Sequence, residues 1–256
     1  MIIRALIVCL CLSGTLSSQA RAGAIVAGDI VRLSQTGDYG GAGGGGAFTI
    51  ERQIAGGQWE LLNVKTFCLE LNEHFSPGQP LLVGALSDRA ILGGVVPNNS
   101  SSTSSDILDI KTAYLYENFA KNSTDLLSAI GVGGNWSGSW SNALQEAIWH
   151  LEGEVSGTAS SNAQKLIDFA NAATITTSAV GKTVFVLNLF APGTPIPAGF
   201  DPANSATWGS IGTSTYLRQD QIFYQPHAPE PSSGVLWLSA MCLLAGRARV
   251  RAKRSI

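Results

Sequence analysis

From residue 23 onward the chain alternates apolar and polar positions with a period of two. Residues 24–33 are apolar with Asp29 and Arg32 interposed, residues 48–54 alternate from Phe48 to Ile54, and residues 59–68 follow directly after Gly56 and Gly57. A period of two broken by turn glycines predicts an antiparallel meander. Residues 40–46 hold six glycines and one alanine. No Gly-Lys-Thr closes that run as a phosphate loop requires, so it predicts a flexible hairpin loop. The later Gly181-Lys182-Thr183 has Thr176 where a phosphate loop needs glycine, and a strand-like run follows it.

After the polar stretch 97–105 the period changes. Residues 106–120 place Ile107, Ile110 and Tyr114 on one helical face, and residues 142–152 do the same with Leu144, Ile148 and Leu151. The second of these predicts Gln145 in the first turn of its helix. Residues 161–173 open with the capping box Ser161-x-x-Gln164 and align Ala163, Leu166, Ile167 and Ala170. Residues 184–190 return to strand, and residues 221–225 are the last strand candidate. Strands, a helical block and strands again predict an α+β domain. We expect a β-rich barrel or sandwich of antiparallel strands with a helical insertion of about three helices.

The two ends differ from the middle. Residues 1–22 carry Arg4, a short apolar run and then Ala20-Arg21-Ala22, the three regions of a secretory signal peptide. Near the other end Pro229-Glu230-Pro231 precedes an apolar stretch, residues 235–245, and a cluster of Arg247, Arg249, Arg251, Lys253 and Arg254. That stretch is about half the ~20 residues of a full span, and the basic cluster is a positive-inside signal. This order resembles the PEP-CTERM sorting signal of Gram-negative bacteria. The resemblance implies transient membrane insertion, cleavage by an exosortase, and delivery to the cell surface or extracellular matrix of a Gram-negative host. The expected organisation is a signal peptide at 1–22, a globular domain at 23–225 and a sorting tail at 226–256.

Without its ends the chain is acidic. Residues 23–228 hold nine Lys or Arg against seventeen Asp or Glu, a net charge of −8. With no basic stripe to meet a phosphate backbone, nucleic acid is excluded as a partner. Cys9, Cys11 and Cys242 lie in the end segments, which leaves Cys68 as the one cysteine of the domain and rules out an internal disulfide. No Asp, Glu and His spacing matches a metal motif, so no metal or cofactor is expected. Glu70, Glu73, Glu152 and Glu154 read as solvated faces, and His74 and His150 as candidate acid–base helpers.

A free thiol in an exported domain needs an explanation. A Cys thiol and a Gln carboxamide can condense with loss of ammonia to an internal thioester, and helix N–H groups beside Gln145 would stabilise the oxyanion. Trp149, one turn after Gln145, is the candidate wall against water. Phe67-Cys68 and Leu144-Gln145-Glu146-Ala147-Ile148-Trp149, with the Tyr- and Ala-bearing run 112–119 between them, resemble the Cys–Gln thioester domains of bacterial surface adhesins. The resemblance covers residues 24–190. It implies a cross-link between Cys68 and Gln145 that captures an amine-bearing surface or matrix molecule once, without turnover. Phe67, Trp149 and His150 are then the candidate shield or helper residues. Two other readings fit the residues: a non-covalent structural protein of the extracellular polysaccharide matrix with a reduced, buried Cys68, and a cysteine hydrolase using Cys68 with His150 or His74.

Overall fold

A computed structural model of the chain describes residues 24–35, 45–71, 73–91, 105–133, 136–213 and 215–226. The sorting-tail residues Pro229, Glu230 and Pro231, the signal peptide, Cys9, Cys11 and Cys242 lie outside them. Among the described residues no helix is long and apolar enough to cross a membrane.

The fold is α+β, with a six-stranded antiparallel sheet and four helices. The strands are β1 (Ile30–Gln35), β2 (Phe48–Gln53), β3 (Trp59–Cys68), β4 (Pro80–Ser87), β7 (Val184–Phe190) and β8 (Leu217–Tyr224). They pair in the order β1–β2–β3–β8–β7–β4, and β4 pairs in turn with β1. Two short strands, β5 (Arg89–Ala90) and β6 (Asp106–Ile107), form a separate pair. Alternation along the strands splits the apolar side chains between two faces. Val31, Leu33, Ile50, Cys68, Val83, Leu187, Leu189 and Phe223 share one buried cluster, while Phe67, Val186 and Ile222 join the helices in another.

The helices are α1 (Ile110–Ala120), α2 (Thr124–Ile130), α3 (Gly138–Leu151) and α4 (Ser161–Ala172). The first helix starts four residues later than its apolar pattern predicts. Asp109 accepts a hydrogen bond from Lys111 N–H at 2.6 Å and caps it there, while Asp106 and Ile107 pair as strand β6. Helix α2 was not foreseen; Ser123 caps it and Leu126, Leu127 and Ile130 bury its one face. Helix α3 begins four residues before its expected start, so Gln145 lies in its middle and not in its first turn. Gly138 and Ser139 are poor helix formers that conceal this start. In α4 the cap is Ser160, one residue before the expected Ser161.

The helical layer docks on the junction of β3 and β8. Tyr116 is fully buried; its hydroxyl donates to Lys65 O at 2.6 Å on β3 and accepts from Tyr224 N–H at 3.1 Å on β8. That junction is short, with Phe67 opposite Ile222 and Cys68 opposite Gln221. The β7–β8 register shifts between Leu187 and Leu189, and the β4–β7 register shifts between Val83 and Ala85. Such irregularities turn consecutive side chains inward. Gln219, Asp220 and Gln221 are accordingly all buried.

Candidate functional site

Cys68 ends β3 and Gln145 stands on the inward face of α3; both are fully buried. The structure brings these two residues, 77 positions apart, into direct contact. Gln145 Oε1 accepts from Cys68 N–H at 3.0 Å and from Gly46 N–H at 3.0 Å. Gln145 Nε2 donates to Cys68 O at 2.7 Å. Two N–H groups converging on one carbonyl oxygen is the arrangement of donors that an oxyanion hole uses. They come from the loop before β2 and from the cysteine itself. The expected helix N-terminus plays no part, because Gln145 is a mid-helix residue.

Gln221 completes the pocket from β8. Its Nε2 donates to Cys68 Sγ at 3.4 Å, and its Oε1 accepts from Thr66 Oγ1 at 3.0 Å. Thr66 thus fixes which end of the Gln221 amide faces the sulfur. Burial pushes the Cys68 thiol up to about 12, against the smaller opposing effect of the Gln221 hydrogen bond. A free Cys68 is therefore a protonated, dry thiol at neutral pH.

Trp149 lies one turn after Gln145 and joins the same buried cluster as Cys68. Gly45 closes the other side. A Cβ at Gly45 would sit 2.8 Å from the Trp149 ring and 2.9 Å from Gln145 Cγ, so the covering backbone rests directly on both side chains. Phe67 points to the opposite face of β3, where it meets Phe119 edge-on at 5.2 Å and Tyr116 at 6.1 Å. His150 is half-buried and His74 exposed, and neither makes a hydrogen bond to Cys68 or Gln145 among the described residues. Five positions separate His150 from Gln145, which turns it to a different side of the helix.

The acidic residues are not the solvated faces expected of them. Glu70 and Glu154 are buried, Glu73 and Glu152 half-buried. Glu154 Oε2 accepts from Leu71 N–H at 3.0 Å. Carboxylate oxygens of Glu70, Glu73 and Asp220 all lie within 4.8 Å of one another. Burial, reinforced by the neighbouring carboxylates, holds the Glu70 and Asp220 carboxyls well above the usual range. No local spacing could reveal this group, because it joins the end of β3, the loop after it and β8. Gly45, Gly46, Thr66 and Gln221 were equally invisible in the sequence. The 40–46 glycine run, read only as a hairpin loop, carries the one usable signal, since backbone without side chains can approach a neighbour closely.

No protein-family model, no curated protein and no solved structure matches the chain.

Proposed function

We propose that this protein is an exported surface or matrix protein that captures an amine covalently through an internal Cys68–Gln145 thioester. The observation that carries the reading is the Gln145 carbonyl, held by two N–H groups at 3.0 Å beside the only cysteine of the described residues. In the first step Cys68 Sγ bonds to Gln145 Cδ, the Cδ–Nε2 bond breaks, and the thiol proton leaves with the nitrogen as ammonia. Gly46 and Cys68 N–H stabilise the oxyanion as the carbonyl carbon becomes tetrahedral. Gln221 Nε2, already aimed at Sγ, favours the sulfur as it loses its proton. The apolar surroundings, with Trp149 at one side, keep water from the product. In the second step an outside amine attacks Cδ, the C–S bond breaks and a proton returns to sulfur. The partner is left in amide linkage to Gln145. Both residues are buried, so an amine enters only when the backbone at Gly45 and Gly46, which covers them, moves aside. The chemistry occurs once per molecule and is not enzymatic turnover.

The wider reading follows the same line. The closed order of strand pairing fits a small barrel with the reactive pair at its β3–β8 junction. The Pro229-Glu230-Pro231 tail fits processing by an exosortase and display at the surface or in the matrix of a Gram-negative cell.

The deciding measurement is the intact mass of the protein as recovered from cells, beside Cys68→Ala and Gln145→Ala. The thioester requires a wild type lighter by one ammonia, neither variant showing that loss, and a single methylamine adduct that frees one thiol. A second reading has its own support. Gln145 satisfies both backbone polar atoms of Cys68 and also Gly46 N–H, so the intact carboxamide is fully bonded as a non-covalent clip. A full-mass wild type with no methylamine adduct would establish that clip and leave a structural matrix protein.

A further inference from the structure

We propose that Glu70, Glu73 and Asp220 form a binding site for one hard divalent cation of the size of Ca²⁺. The three carboxylates offer oxygens within 4.8 Å of one another. Ligands on opposite sides of one Ca²⁺, at about 2.4 Å each, stand about 4.8 Å apart, so a single ion reaches all three. Oxygen donors alone, with no sulfur or imidazole among them, select a hard cation.

A second observation points to a missing ligand. Glu70 is 2% exposed, and among the described residues no backbone N–H, hydroxyl or basic side chain donates to its carboxylate oxygens; the only polar group that meets them is the Glu73 carboxyl. Glu73 Oε2 is likewise buried with no such donor. A buried carboxylate without donors is costly unless a cation or a proton meets it. No Lys or Arg does so, since the ion pairs among the described residues all involve other acids.

The framework is built to hold its position. Asp220 is anchored by Ile91 N–H at 2.7 Å, Asn188 Nδ2 at 2.8 Å and Leu189 N–H at 3.0 Å. Its three donors fix the carboxylate and still leave oxygen lone pairs for a metal. Gln219 Nε2 donates to Glu70 O and ties that backbone to β8. The ion would clamp the end of β3 to β8 next to the pair Cys68 and Gln221. An exported protein meets abundant Ca²⁺, and sites on such proteins bind with Kd of about 10⁻⁴–10⁻³ M.

The test uses the full chain, purified in detergent and stripped with EDTA. Calorimetric titration with CaCl₂ should give one ion per chain. Ca²⁺ at a hundredfold excess over Kd should raise Tm by about 5–10 °C. Glu70→Gln and Glu73→Gln should each weaken binding at least tenfold. Glu73 is half-buried, so its variant keeps the test valid if Glu70→Gln fails to fold. MgCl₂ at equal concentration should leave Ca²⁺ binding intact. The site is overturned if folded wild type takes up no Ca²⁺, if binding survives both substitutions, or if Mg²⁺ binds equally well. Glu70→Gln raising Tm in a wild type indifferent to Ca²⁺ would mark a proton-sharing acid group and overturn it too. Cys68→Ala should bind Ca²⁺ as wild type does, which separates this site from the thioester.

Discussion

The carboxamide of Gln145 pairs with the backbone of Cys68 as a neighbouring strand would. It accepts from Cys68 N–H at 3.0 Å and donates to Cys68 O at 2.7 Å. A helix side chain thus continues the hydrogen bonding of a strand end. Gln145→Ala would strand three buried backbone groups, those two and Gly46 N–H. Each costs about 1–3 kcal/mol when unsatisfied, so the variant should lose roughly 3–9 kcal/mol in urea unfolding. A loss under ~1 kcal/mol would show that water or rearrangement satisfies them.

Thr66→Val keeps the shape of the side chain and removes its hydroxyl. Gln221 Oε1 then loses its partner, and the amide no longer has a fixed orientation toward Cys68 Sγ. We expect a stability loss of about 1–3 kcal/mol. The fraction of chains lighter by one ammonia should fall in the same variant. A drop in stability with that fraction unchanged would confine Thr66 to a structural role.

Gly45→Ala pushes a methyl group against the Trp149 ring and Gln145 Cγ, both closer than 3.0 Å to the new Cβ. Overpacking of this kind costs about 1–3 kcal/mol. Because the backbone at Gly45 must shift away from Trp149 and Gln145 to relieve it, methylamine should label the folded variant faster than wild type. Equal labelling rates would show that Gly45 does not gate the site. Gly84→Ala is the matched control. Its Cβ would lie 2.2 Å from Phe190, away from the reactive pair, so it should destabilise without altering labelling.

Glu152 supplies a pH signature. Burial pushes its carboxyl up to about 8 from the ordinary 4.5; the charges of Asp109 and Asp106 act in the same direction, while the Asp109 N–H bond opposes them. Between those two values the folded protein holds a proton that the unfolded chain has released. Stability therefore falls as pH rises through this window, by up to about 1.4 kcal/mol per pH unit, and is fully present below it. Glu152→Gln should flatten the fall in urea stability measured from pH 5 to 8. An unchanged slope would assign the proton to another buried acid.

Much of the architecture was legible along the chain. Residues 59–68, read as a strand from the period of two, and residues 184–190, read as a return to strand, are both strands, and the helical block lies between strands as expected. Boundaries slipped where local chemistry outweighed apolar spacing. Asp109 stops α1 from starting earlier, and Gly138 hides the true start of α3. Helix α2, seven residues long, spans too few turns for a period to be read.

The sequence by itself determined the α+β order of elements, the acidic domain, and the isolation of one cysteine among its residues. Periodicity and composition are local properties, and they survive in one dimension. The tertiary structure alone decided that Cys68 and Gln145 touch, that Gly46 and not a helix terminus donates to the carbonyl, and that Gln221 faces the sulfur. It also turned Glu70 inward to meet Glu73 and Asp220. These contacts join residues up to about 150 positions apart across a two-pair strand junction. They follow from register shifts and the docking of one helix, which no spacing rule encodes.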